Sequence, residues 1–282
     1  VDPKTVALTA LALIAFASNS ILTRLALGSH QIDAASFSSI RLCAGAVALA
    51  FLVRSKTGTW SGLRAPSLAG ALALFAYAAP FSFAYLRIGA AVGALVLFGV
   101  VQLTMIGYGV ASGERPAPLA WVGIALAMIG LASLTAPSAT RPDTAGLLLM
   151  AIAGVAWAVY SVIGRSASDP ILANARSFLW GCPLAACLSL VLRDSATGNF
   201  KGVLLAIVSG AVTSGLGYAI WYRALTRLKM TQAAVAQLSV PVIAALGAVI
   251  FLDESFSARL GLSSLAIVAG VGCALLARFN RA

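Results

Sequence analysis

Three amide side chains and a set of aromatic rings are the residues best able to handle a solute in this sequence. Asn19, Gln102 and Gln237 each lie in the middle of a long apolar run. An unpaired amide withdrawn from water is costly, so each must face a partner, water or a solute. Tyr77, Phe81 and Tyr85 recur every fourth residue and share a helix face, as do Phe98 with Gln102 and Tyr218 with Tyr222. Trp157, Tyr160 and Ser161 crowd the middle of another run. A solute site is therefore expected from Asn19, Tyr77, Phe81, Tyr85, Phe98, Gln102, Trp157, Tyr160, Ser161, Tyr218 and Gln237. Core or lipid contact is the plainer reading of any one aromatic stripe, and interhelical bonding that of any one amide. Arg41 lies about two turns into the second run. It either snorkels to the interface, meets a substrate carboxylate, or lines an exit path.

Catalytic groupings are missing from the sequence. It has no HExxH, no acid pair inside an apolar run, no metal-ligand cluster, and one histidine, His30, placed in a loop. An enzyme is not expected, nor a cofactor or a bound metal. The acidic residues sit at the ends of the runs, whereas proton-coupled carriers need a titratable group within the membrane. Any transport is expected to follow the solute's own gradient.

The elements that must position these residues follow from composition. Of 282 residues, 61% are hydrophobic and 10% charged, against about 25% charged in soluble domains. Bilayer is the natural solvent. A spanning helix takes roughly 20 residues, and unbroken apolar runs exclude the alternation of a barrel. The expected fold is an all-α integral membrane protein with ten spans: Val6–Leu27, Ala35–Val53, Ser67–Leu86, Ala90–Ala111, Leu119–Leu134, Ala145–Ile163, Leu172–Leu192, Val203–Tyr222, Thr231–Leu252 and Ala258–Leu276. Prolines mark several breaks, at Pro66, Pro116, Pro142 and Pro170. Cys43, Cys182, Cys187 and Cys273 fall inside spans as small packing residues.

The net charge of +11 is scattered over the loops without a basic stripe, so nucleic acid is not an expected partner. It orients the chain instead. Basic residues are in excess on the side holding both termini, which are expected to be cytoplasmic at a plasma (inner) membrane. The N-terminus has no cleavage-site pattern and leads directly into the first span.

The second half echoes the first at a shift of about 140 residues. Glu114 falls on Glu254, Gly130 on Gly270, Ala94 on Ala234, and, close to that shift, Arg24 on Arg165 and Ser20 on Ser161. Five helices is an odd number, so such repeats, 1–139 and 140–282, insert in opposite orientations around a central cavity. Small residues at Gly89, Gly93, Ala233, Ala234 and Ala236 permit close helix approach and sliding. Pro80, Pro183 and Pro241 lie within spans, and Pro241 is the preferred hinge. Gly89, Gly93, Pro241 and Arg41 are the expected gating or exit-path residues. Ten helices suffice for a monomer.

Several of these features resemble the drug/metabolite transporter superfamily, of the EamA-like ten-helix type. The carriers of the resemblance are Ser18-Asn19-Ser20, Arg41, the matched ends Gly113-Glu-Arg-Pro116 and Leu252-Asp-Glu-Ser255, and Gln237-Leu-Ser-Val-Pro241. Val101 stands where the first half would have a matching proline, and Ala17 where a tryptophan is usual. The layout is similar to the amino acid and metabolite exporters, including the YddG-like exporters of aromatic amino acids. The resemblance implies export of small metabolites by alternating access, with amino acids as the expected solutes. A nucleotide-sugar or organophosphate exchanger, or a drug efflux carrier, is the alternative. A phosphate site would need several cavity-facing cations, and mid-span lysines are missing.

Overall fold

The computed structural model describes residues 2–88, 90–135, 143–251, 258–277 and 279–281. Helix α1 (Pro3–Thr23) runs on through a π-wound stretch (Arg24–Gly28), and α2 spans Ala34–Thr57. Then come α3 (Leu68–Tyr85), α4 (Ala90–Ala111), α5 (Pro118–Thr135), α6 (Thr144–Arg165) and α7 (Pro170–Val191). The next rod is α8 (Phe200–Val208), a π-wound centre (Ser209–Leu216) and α9 (Gly217–Leu225). It is followed by α10 (Met230–Gln237), α11 (Ser239–Phe251) and α12 (Ala258–Leu276). Among the described residues, eight helical rods are long and apolar enough to cross a membrane, and two further apolar helices, Val96–Ala111 and Pro118–Ser133, are shorter. A short antiparallel pair, β1 (Glu114–Pro116) with β2 (Phe279–Arg281), was not expected.

The acids explain where helices begin. Asp2, Asp33, Asp143 and Asp169 each accept a backbone N–H in the first turn of α1, α2, α6 and α7. Such caps satisfy donors that a helix leaves unpaired, and a negative charge suits that end of the dipole. Pro241 acts on its own helix as proline must. It cannot donate to the carbonyl of Gln237, four residues back, and the rod breaks at Leu238, between α10 and α11.

Large apolar side chains such as Phe51, Leu103, Val191 and Leu265 are exposed on the outside of the bundle. In water that surface would aggregate; in lipid it is the required one. The cysteines correct the expectation of packing. Cys43 and Cys187 are exposed and Cys182 and Cys273 only partly covered, so they lie towards the surface of their helices.

The interior is built by crossing. α1 packs on α9 and α11, while α6 packs on α3 and α4. α5 and α12 pack on each other with almost no side chain between them. A Cβ added at Gly123 would lie 2.5 Å from the Gly270 carbonyl oxygen, and one at Gly270 would lie 2.5 Å from that of Gly123. Gly130 is likewise pressed on Ser263 and Ile267. A shift of 140 residues turns the contact of 123 with 270 into that of 263 with 130. Backbone approach this close is how small residues join helices in lipid.

Candidate functional site

A cavity of about 30 Å³ lies between α1, α3, α4, α6, α9, α10 and α11. Seven of the residues expected at a solute site line it: Asn19, Tyr77, Phe81, Phe98, Trp157, Tyr218 and Gln237. Its volume holds one or two waters, roughly a tenth of the smallest ordinary small-molecule site. In this conformation the lining side chains touch one another and leave the space too narrow for a solute.

The polar lining is tied down by neighbours. The Asn19 side-chain oxygen accepts from Ser209 Oγ at 2.6 Å and Thr213 Oγ1 at 3.2 Å, both in the π-wound centre. Trp157 Nε1 donates to Gln237 Oε1 at 2.6 Å. Gln237 Nε2 points to Met105 Sδ at 3.2 Å. The rings pack edge to face. Phe16 sits 5.2 Å from Trp157 and 5.6 Å from Tyr218, and Trp157 lies 4.8 Å from Tyr218. Such pairs contribute about 0.5–1.5 kcal/mol beyond their burial, so the narrow cavity is held by both rings and amides.

Other expected residues stand elsewhere. Gln102 donates to the Ala234 carbonyl, joining α4 to α10, and does not line the cavity. Tyr160 donates to Asn174 and accepts, through its carbonyl, from the Tyr222 hydroxyl at 2.8 Å. Ser161 is fully buried, and its hydroxyl has no partner. Tyr85 packs on Phe81 at 4.7 Å, one turn beyond the cavity wall. Gly93 faces Tyr85 and Met150, where an added Cβ would come within 3.3 and 3.0 Å. Pro241 is buried directly after Val240, which lines the cavity. Gly89 and the Asp253-Glu254 pair lie outside the described residues.

Arg41 does not snorkel. It is 1% exposed, and its Nε donates to Ser214 Oγ at 2.9 Å and its Nη2 to the Tyr218 hydroxyl at 2.7 Å. A side chain already encircled by α3 and the α8–α9 rod has no route to the interface. Glu114, expected only as a helix-end mark, is buried too. It accepts from Met230 N at 2.7 Å, Thr231 N at 3.1 Å and Thr231 Oγ1 at 2.7 Å, capping α10. Sequence reasoning missed Phe16 as a lining residue, although it lies three positions before Asn19 and so shares its face.

An all-α bundle with an apolar outside and a polar-aromatic pocket enclosed at its centre is the build of a multi-pass membrane transporter of small molecules. The EamA-like transporter family model matches residues 144–276. The chain thus carries an EamA-like transporter domain and belongs to the drug/metabolite transporter superfamily. An uncharacterized protein of Pseudomonas aeruginosa is 44% identical over 285 residues, covering 100% of this chain and 98% of its own length. An uncharacterized transporter of Archaeoglobus fulgidus is 29% identical over 159 residues, 55% of this chain and 54% of its own. A solved crystal structure superposes over 99% of both chains with a TM-score of 0.84 at 21% identity, a likeness of fold.

Proposed function

We infer that this chain exports small metabolites, amino acids with aromatic or hydrophobic side chains among them, as a facilitative carrier. The observation that carries this reading is the central cavity: aromatic rings for an apolar side chain, and Asn19 and Gln237 for polar groups, enclosed where α1 and α6 cross onto the opposite half. Two inverted repeats, 1–139 and 140–282, work as rocking bodies about that cavity, with the break before Pro241 as a hinge. The placement of the acids supports uncoupled transport, because five of the six described ones cap helix ends and the sixth, Asp194, is exposed beside Arg193. The chain acts as a monomer in the plasma (inner) membrane, with both termini cytoplasmic.

Counterflow in proteoliposomes tests the reading. With labelled amino acids, sugars and nucleotides offered separately, saturable exchange is expected for phenylalanine or leucine and not for the phosphorylated solutes. Exchange confined to sugars or nucleotides would remove amino acids as the solute. Uphill accumulation on acidifying one side would remove the facilitative mechanism.

A further inference from the structure

Among the described residues, Arg41 and Glu114 are the buried side chains that carry a full charge, and Arg41 has no ionic partner. Its guanidinium carries five N–H donors. One goes from Nε to Ser214 and one from Nη2 to Tyr218, while a second from Nη2 reaches only to 3.5 Å from the Tyr77 hydroxyl. Nη1 keeps both of its donors unused, with no acceptor in reach. Every acceptor present is a neutral hydroxyl. The rings of Tyr77 and Phe81 lie 5.5 and 5.8 Å from the guanidinium carbon, which softens its burial but supplies no anion.

The position of this cation matters as much as its lack of a partner. Tyr77, Phe81 and Tyr218 touch Arg41, and the same three line the central cavity. The guanidinium is thus one side chain behind the cavity wall. A carboxylate arriving from the cavity would take an Nη1–H together with the Nη2–H now stretched towards Tyr77. That is the two-bond, end-on geometry in which guanidinium groups hold carboxylates. We propose that Arg41 is the anchor for the carboxylate of the transported solute, reached when Tyr77 and Phe81 swing aside as the narrow cavity widens. This rests on the reading of the central cavity as the solute site and adds to it the chemical group that is recognised.

The test compares four ligands on the purified, detergent-solubilised protein, read as binding-induced shifts in thermal unfolding. They are phenylalanine, phenylalanine amide, phenethylamine and 3-phenylpropionate. Phenylalanine and 3-phenylpropionate are expected to bind at least tenfold more tightly than the amide and the amine. In Arg41→Gln that preference is expected to collapse to less than threefold, and Arg41→Lys is expected to keep part of it. Should Arg41→Gln fail to fold, the four ligands on the unchanged protein still decide. Equal binding of phenylalanine and its amide overturns the anchor while leaving the amino acid reading intact. Binding of 3-phenylpropionate without phenylalanine supports the anchor and overturns the amino acid reading. Binding of none of the four, or an equal shift from chloride alone, overturns the anchor.

Discussion

Glu114 and Arg41 are both charges taken out of water, and they are treated in opposite ways. Glu114 receives two backbone N–H groups and a hydroxyl from the start of α10. Those are donors that a helix end must satisfy anyway, so the carboxylate and the helix complete each other. Arg41 receives only hydroxyl oxygens and keeps two donors idle. A buried charge is tolerable when every one of its hydrogen-bonding positions is used and costly otherwise. The first arrangement is finished within the chain; the second is completed only by something that comes and goes. The difference teaches where to look for a ligand: at the charge the fold leaves incomplete.

Substitutions can break or sharpen this contrast, and the largest effect is expected at the finished site. Glu114→Ala strands two backbone N–H groups and a hydroxyl inside the bundle, and should lower stability by about 3 kcal/mol in denaturation of the solubilised protein. Solute should raise its midpoint by the same increment as in the parent, because the defect lies away from the cavity and leaves binding intact. Ser214→Ala withdraws the acceptor from Arg41 Nε and should cost about 2 kcal/mol. Here a carboxylate-bearing solute should give a larger increment than in the parent, since it feeds the guanidinium that has lost an acceptor. If the solute increment is the same in both variants, the contrast is wrong. Trp157→Phe removes the bond to Gln237 Oε1 for about 1 kcal/mol, and should weaken phenylalanine counterflow more than leucine counterflow.

The smallest expected effect is at Asp33, an acid finished by the backbone in the manner of Glu114. Burial opposes its ionisation, but N–H groups of Ser36, Thr197 and Ala35 outweigh that and hold its carboxyl below the ordinary range. A lowered native value means stability that is fully present above the ordinary carboxylate range and is lost as pH falls below about 4. Thermal midpoints recorded from pH 6 to pH 3 should therefore decline less steeply in Asp33→Asn than in the parent.

Local pattern made much of this legible. Apolar runs gave the membrane spans, Asp169-Pro170 gave the start of α7, and fourfold spacing put Tyr77 and Phe81 on the cavity side. What stayed hidden depends on distant partners. Nothing near Gln102 announces the Ala234 carbonyl, 132 positions away, so its amide could not be sorted from those of Asn19 and Gln237. Arg41 stays open in the sequence between the interface, a substrate carboxylate and an exit path, because Ser214 and Tyr218 belong to the other half of the chain. The π-wound centre left no mark either: Ser209–Leu216 is as apolar and glycine-bearing as many ordinary helices, and its winding shows only once Asn19 is seated on Ser209 and Thr213.

The partners of Arg41 also set an order of assembly. Tyr77 follows it by 36 residues, but Ser214 and Tyr218 follow by 173 and 177. At ribosomal speeds of 5–20 residues per second, α2 exists for roughly ten to thirty seconds before its guanidinium has the acceptors it will finally use. The hydrogen bonds that hold the Arg41 guanidinium can therefore be completed only after the α8–α9 rod has emerged.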